Sequence, residues 1–167
     1  MTRQEVTAFY NKYYKRLYNV SYRIVGNGAD AEEIMQDTII KFIDAGQPPQ
    51  EEAQIAAWLM RTCVRQSIDY VRKYKRKQTF IEEYKYDTIS GSEPSAQSKE
   101  GKTAEKVALV KQALERLKDP YRTMLILSLI EGYDYQEIAE ITSQKEATIR
   151  SQISRGKEKL LREINSL

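Results

Sequence analysis

Apolar residues recur at helical spacing along most of the chain. In the first half, three segments carry such stripes, at 4–25, 30–46 and 51–77. The spacing resumes at 104–117 and again from 120 towards 132. Strand-like alternation is absent, and with 7 Gly and 4 Pro in 167 residues the chain has few helix breakers. The pattern predicts an all-α protein.

Local signals predict where several of these helices begin and end. Gly26 is placed to end the first helix, and Asp30 is predicted to cap the second, with Glu33 completing a capping box and Gly46 ending it. Asp119 precedes Pro120 and is predicted to cap the helix that runs towards residue 132. The apolar residues of segment 104–117 predicted to face inward are Val107, Val110 or Leu109, Leu114 and Leu117.

The segment 81–103 differs in composition from the chain on either side. It has few aliphatic residues, several Ser and Gly, and a proline. Such a segment buries too little apolar surface to fold by itself. We therefore predict two small helical domains, 1–80 and 104–167, joined by a flexible linker at 81–103.

Residues 133–159 have the pattern of a helix-turn-helix that binds DNA. Asp134 and Glu137 form a capping-box signature, the turn falls at 142–144, and a second helix is predicted from about Lys145. Its predicted buried stripe is Ile149, Ile153, Leu160 and Ile164, with Gly156 allowing close helix approach. The candidate DNA contacts on the opposite face are Arg150, Ser151, Ser154, Arg155 and Lys157. An ordinary amphipathic helical hairpin stays open as the alternative.

Charge is distributed unevenly, although the net charge is only +3. Residues 58–77 hold seven Lys/Arg against one Asp, and residues 142–167 hold six Lys/Arg against three Glu. Residues 30–44 hold five acids against one lysine. This distribution predicts contact with polyanions at two separate surfaces, in addition to one acidic surface.

The third helical segment places an indole and several guanidiniums on one face, by spacings of three, four and seven residues. Positive charge suits phosphates, and a flat ring suits unstacked bases. The candidate contacts to a single DNA strand are Trp58, Arg61, Arg65, Arg72, Lys75 and Arg76. The alternative is a buried Trp58 beside a solvated arginine face.

Several kinds of chemistry are excluded or disfavoured. The chain has no histidine and the single Cys63, so an internal disulfide, a Cys/His metal site and histidine-based catalysis are excluded. Its carboxylates are not paired with a nucleophile or a Gly-rich phosphate loop. No apolar run approaches the ~20 residues that a membrane span needs, and the amino terminus lacks a signal core. We expect a cytoplasmic protein without a cofactor or membrane insertion, and not an enzyme.

The chain from Leu117, LKDPYRTMLILSLIEGYDYQEIAEI followed by ATIRSQISRGKEKL, resembles the carboxy-terminal domain of extracytoplasmic-function (ECF) sigma factors of the sigma-70 family. The resemblance implies that the second helix recognises the minus-35 promoter element through Arg150, Ser151, Ser154 and Arg155. Where the family usually has a glycine and then an aliphatic residue in the turn, this chain has Ser143 and Gln144.

Two further segments are similar to the same family. The segment DAEEIMQDTIIKF resembles the helix that docks on RNA polymerase, which implies polymerase contacts by Asp30, Glu33, Gln36 and Asp37. The segment from Trp58 to Arg72 is similar to the part that reads the minus-10 element, although Arg65 stands where many members have asparagine. The loop 46–54 corresponds to the family's specificity loop.

The resemblance implies an ECF-type sigma factor that binds core RNA polymerase and directs it to promoters. Its implied partners are core polymerase and promoter DNA, with an anti-sigma factor as a further candidate. Two other interpretations stay open. One is a helix-turn-helix regulator that is not a sigma factor, and the other is a helical interaction protein that binds no DNA.

Overall fold

The computed structural model describes residues 1–78 and 101–167, with side chains placed at 1–74 and 103–167. These residues form helices, turns and short connections without a strand, which confirms the all-α prediction. The chain divides into two compact units. The amino-terminal unit contains residues 1–75 together with 140–143, and the carboxy-terminal unit contains the other described residues. Most of the predicted linker, including residues 81–100, lies outside the described residues.

α1 spans Arg3–Val25, close to the predicted range. It begins with a capping box, because the Glu5 amide donates to Thr2 Oγ1 at 3.2 Å and the Thr2 amide donates to Glu5 Oε2 at 2.7 Å. It ends as predicted at Gly26, which has a φ of 74°. A residue without Cβ adopts that left-handed conformation at little cost, so the stop signal is local.

α2 spans Gly28–Ile43, and here the predicted cap is wrong. Asn27 is the cap, since its side chain accepts a hydrogen bond from the Asp30 amide at 3.1 Å. Asp30 therefore lies within the first turn of the helix. Its carboxylate accepts a hydrogen bond from the hydroxyl of Tyr70, in the third helix. The helix also ends at Ile43, before Gly46.

α3 spans Glu52–Gln78 and closes the core of the amino-terminal unit. Fully buried aliphatic residues from all three helices form that core, and aromatic rings cover one end. Phe42 stacks on Phe9 with ring centroids 4.9 Å apart and meets Trp58 edge-on at 5.4 Å. Polar contacts also cross between helices, because the buried hydroxyls of Ser67 and Ser21 form a hydrogen bond with their Oγ atoms 2.9 Å apart.

α4 spans Gly101–Arg116, so it begins within the segment predicted as linker. Ala113, Leu114 and Leu117 are buried at its carboxyl end, as expected for the two leucines. Val107, Val110 and its alternative Leu109, however, are 48%, 37% and 38% exposed, so the prediction that they face inward is wrong. Their spacing along the helix is that of core residues, but the core of the carboxy-terminal unit contacts only the last turns of α4.

The next helix has two parts. α5 spans Tyr121–Leu125, and a π-helical turn, Ile126–Ile130, continues it. The cap position of α5 is Pro120, not Asp119 as predicted. Asp119, one residue earlier, still bonds the first turn, because its carboxylate accepts from the Thr123 amide at 3.0 Å. The sequence predicted one continuous α-helix towards Gly132 and did not predict the π-helical turn. That turn has five residues per hydrogen bond, as in the bond from the Glu131 amide to the Ile126 carbonyl at 3.0 Å.

α6 spans Tyr135–Thr142 and α7 spans Glu146–Ser166. Gly156 of α7 is buried against α5, and an ideal Cβ built on it would lie 3.2 Å from Leu125 Cγ. The two helices therefore pack so closely that a side chain at position 156 would be in tight steric contact with Leu125. The predicted role of Gly156 in close helix packing is confirmed.

Candidate nucleic-acid and protein interfaces

The helix-turn-helix forms from local signals. The Glu137 amide donates to Asp134 Oδ1 at 2.8 Å and the Asp134 amide donates to Glu137 Oε1 at 3.2 Å, so the predicted capping box is confirmed. The turn holds Ser143 at a φ of 56°. Glycine adopts this conformation most easily, so serine here stabilises the turn less than glycine would.

α7 separates its apolar and polar residues onto different faces. Ile149, Ile153 and Leu160 are buried as predicted, and Ile164 is half-buried. The five candidate DNA contacts are all exposed on the remaining surface: Arg150, Ser151, Ser154, Arg155 and Lys157. The structure therefore presents the predicted residues together on one helix, and their role in DNA binding stays a prediction.

Arg150 contacts two residues that lie outside the predicted DNA-binding set. Its Nη2 donates to Glu146 Oε1 at 2.9 Å, and its Cζ lies 5.3 Å from the centroid of the Tyr135 ring. The spacing of four residues between Glu146 and Arg150 is a recognisable pairing signal. No local signal marks Tyr135, because that contact depends on the angle between α6 and α7.

The candidate contacts on α3 differ in exposure. Arg65 and Arg72 are exposed, whereas Arg61 and Trp58 are half-buried. The indole packs edge-on against Phe42, so part of its surface belongs to the core, as the alternative interpretation of Trp58 supposed. The side chains of Lys75 and Arg76 lie outside the described residues.

The candidate polymerase contacts on α2 also divide into two groups. Glu33, Gln36 and Asp37 are exposed. Asp30 is half-buried and accepts a hydrogen bond from the Tyr70 hydroxyl. Burial and this hydrogen bond raise the pKa of Tyr70 above the ordinary tyrosine value. Asp30 is therefore part of the contact between α2 and α3, which leaves Glu33, Gln36 and Asp37 as the exposed members of the predicted set.

No helix among the described residues is long and apolar enough to cross a membrane. The candidate contacts are polar and charged side chains on α2, α3 and α7.

Comparison with known families identifies both halves of the chain. Residues 9–77 match the family model for sigma-70 region 2, and residues 108–160 match the model for sigma-70 region 4. The first match begins within α1 and includes α2 and nearly all of α3, and the second runs from the middle of α4 to residue 160 of α7. The two regions thus follow each other in the order expected for a sigma factor.

Individual relatives agree with these matches. The chain is 31% identical over 150 residues to the ECF RNA polymerase sigma factor SigE of Mycolicibacterium smegmatis, covering 87% of this chain and 56% of that protein. It is 28% identical over 139 residues to the RNA polymerase sigma factor SigV of Bacillus subtilis, covering 83% and 78% respectively. The chain thus spans little more than half the length of SigE.

The fold is also known from a solved structure. The sigma factor RpoE from Bartonella quintana, in complex with the anti-sigma factor NepR, superposes with a TM-score of 0.69. The match covers 97% of this chain and 98% of that chain, at 19% identity. At this identity the likeness establishes the fold alone.

The chain belongs to the sigma-70 family of RNA polymerase sigma factors, among the ECF members. Members of this family are transcription factors. The resemblance found in the sequence is therefore confirmed at the level of family and fold.

Proposed function

We propose that this chain is a transcription initiation factor that binds core RNA polymerase and directs it to specific promoters. The observation that carries the proposal is the sorting of α7 into a buried apolar stripe and an exposed polar and basic face, within a helix-turn-helix. A recognition helix with small and basic side chains on its free face fits the major groove. On this proposal α7 reads the minus-35 element.

α3 would contact the minus-10 element after strand opening. Its exposed Arg65 and Arg72 supply positive charge for the phosphates of one strand. The two residues are seven positions apart on the helix, which is about 10 Å along its axis. The half-buried Trp58 keeps a ring surface at the same face for an unstacked base.

α2 would bind the polymerase. Its exposed Glu33, Gln36 and Asp37 suit a basic protein surface, and Asp30 supports them indirectly by joining α2 to α3. An anti-sigma factor is proposed as a further partner, because the Bartonella sigma factor with the same fold was solved in such a complex. We further propose that the chain acts in the cytoplasm and that the polymerase, not this chain, performs the chemistry.

Run-off transcription on genomic DNA tests the proposal directly. Core RNA polymerase supplemented with the full chain should start transcription at discrete sites that core polymerase alone does not use. Replacing Arg150 and Arg155 by alanine should weaken minus-35 binding by roughly 1–3 kcal/mol for each arginine that hydrogen-bonds a base edge. The matched control is Arg162→Ala, an exposed arginine of α7 outside the predicted set.

Binding to core polymerase distinguishes this function from the main alternative. A protein that binds promoter DNA specifically but never associates with core polymerase would be a helix-turn-helix regulator and would defeat the proposal. A protein that binds polymerase without altering start-site choice would also contradict it.

A further inference from the structure

Arg150 is the one candidate base contact on α7 that the structure shows held on two sides. Its Nη2 donates to Glu146 Oε1 at 2.9 Å, within the first turn of the helix. Its guanidinium carbon lies 5.3 Å from the centre of the Tyr135 ring, at the beginning of α6. That distance is within the range of a cation–π contact. Two helices of the helix-turn-helix therefore converge on one side chain.

The two contacts restrict different motions of the guanidinium. An aromatic ring attracts the flat face of the group, whereas a carboxylate bonds one edge of it. Each contact alone is weak at an exposed site. Together they limit both the tilt of the guanidinium plane and its rotation within that plane, so fewer rotamers remain to be frozen when DNA binds.

Held in this way, Arg150 still has donors for a base. A guanidinium carries five N–H groups, and the described bond to Glu146 engages one nitrogen. The Arg150 side chain is 63% exposed. Guanine accepts two parallel hydrogen bonds at O6 and N7, and this pairing requires a fixed donor plane. A phosphate contact requires mainly charge and tolerates a mobile side chain.

The other basic residues of the same face provide the contrast. Arg155 and Lys157 are exposed, and among the described contacts none holds either side chain to a carboxylate or a ring. They therefore fit phosphate contacts, which position a protein on DNA without reading sequence. α7 therefore carries one arginine with two orienting contacts and two exposed basic residues without a described contact of that kind.

We propose that Tyr135 and Glu146 are positioning residues that orient Arg150 to read a guanine in the minus-35 element. The inference rests on the proposed function, because it requires α7 to contact promoter DNA. Neither residue needs to touch DNA itself. Glu146 also carries a negative charge beside the phosphates, so it opposes non-specific binding while it supports the specific contact.

Selection from a template library tests the inference. Core RNA polymerase and the full chain transcribe templates randomised across the minus-35 element, and sequencing of the transcripts gives the base preference at each position. The wild type should favour guanine at one position, and Arg150→Ala should reduce that preference roughly tenfold or more. Tyr135→Leu and Glu146→Gln should each weaken the same preference by roughly two- to fivefold.

Matched variants separate positioning from general stability. Tyr135→Phe keeps the ring and should retain the wild-type preference. Tyr121→Leu is the control, because Tyr121 is also half-buried and its ring lies 5.2 Å from Lys159 Nζ, which is not a predicted base contact. This variant should leave base preference unchanged. In addition, Glu146→Gln should bind a non-specific duplex at least as tightly as the wild type.

Failure of this inference can be told apart from failure of the proposed function. A wild-type protein that selects no minus-35 sequence would reject the proposed function. Clear wild-type selection that Tyr135→Leu or Glu146→Gln retains in full would overturn the positioning role alone. Equal weakening in Tyr135→Phe and Tyr135→Leu would overturn it as well, since the aromatic face would then be irrelevant.

Discussion

The two units hold their helices together by different means. In the amino-terminal unit, aromatic rings meet across all three helices, and hydrogen bonds join distant residues, such as Ser67 with Ser21 and Tyr70 with Asp30. The core of the carboxy-terminal unit is mainly aliphatic, with a glycine where α5 and α7 meet. Several of its side-chain hydrogen bonds link residues three or four apart.

This difference shows two ways of fixing helix orientation. Polar bonds between helices favour one arrangement, because another arrangement would separate the two groups of each bonded pair. An aliphatic core depends instead on shape, and a glycine at a close approach fixes that shape at one position. The following changes test the comparison, in decreasing order of their expected effect on the free energy of unfolding.

Removal of a ring from the aromatic cluster should have the largest effect. Phe42 is 5% exposed and contacts the rings of Phe9 and Trp58. Phe42→Ala should lower the free energy of unfolding of the amino-terminal unit by about 3–5 kcal/mol, because apolar burial is reduced and a cavity remains. Chemical denaturation measures the change. Ile40→Ala, at a 53% exposed position on the same helix, should change stability by only about 0.5 kcal/mol.

Filling the close approach should destabilise the carboxy-terminal unit. Gly156→Val places a branched side chain where even a Cβ would lie 3.2 Å from Leu125 Cγ. The overpacking should cost about 1–3 kcal/mol in thermal or chemical unfolding. Glu158→Val places the same side chain at an exposed position of α7, where it should cost only the roughly 0.5 kcal/mol that separates the helix propensities of glutamate and valine. Equal stability of the two variants would contradict the role given to Gly156.

Removal of the bond between α2 and α3 should have a smaller effect. Tyr70→Phe deletes the hydroxyl that donates to Asp30 and should lower stability by about 1 kcal/mol at neutral pH. Tyr74→Phe deletes the hydroxyl of the exposed ring stacked on Tyr70 and should be nearly neutral.

The same pair predicts a dependence on pH. Because the folded state raises the pKa of Tyr70, the protonated hydroxyl stabilises the fold fully below the ordinary tyrosine pKa of about 10. As pH rises above that value, the unfolded chain ionises first and the stabilisation declines. The advantage of the wild type over Tyr70→Phe should therefore be constant at lower pH and shrink above about pH 10. If the difference in unfolding free energy between the two proteins stayed constant across this range, the raised pKa of Tyr70 in the folded state would be contradicted.

Reversal of two acids on α2 should have the smallest effect on folding. Glu33 and Asp37 are exposed, so Glu33→Lys with Asp37→Lys should change stability by about 0.5 kcal/mol or less. Against a basic partner surface the same change can cost several kcal/mol of association, and pull-down of core polymerase should be abolished. Glu105→Lys with Glu115→Lys makes the same charge change at exposed positions of α4, outside the proposed interfaces, and should still bind. Retained binding by the first double variant would remove α2 from the proposed interface.

The sequence alone determined the helices, several of their ends and the polar face of α7. Helix ends are set by contacts within about one turn of the backbone, so a short stretch of sequence is enough to predict them. Examples are Gly26 and the Asp134–Glu137 pair. The buried stripe at Ile149, Ile153 and Leu160 follows from helical periodicity in the same way.

Tertiary structure decided what depended on partners from other helices. Asp30 is a residue type that often caps helices, but Asn27 caps α2. Asp30 instead accepts a hydrogen bond from Tyr70, 40 residues away. Val107 and Val110 have the spacing of core residues and stay exposed, because burial requires another helix to cover them. Tyr135 meets Arg150 only through the angle between α6 and α7. Periodicity gives the direction of a side chain about its own helix, whereas the contact it makes depends on where the other helices pack.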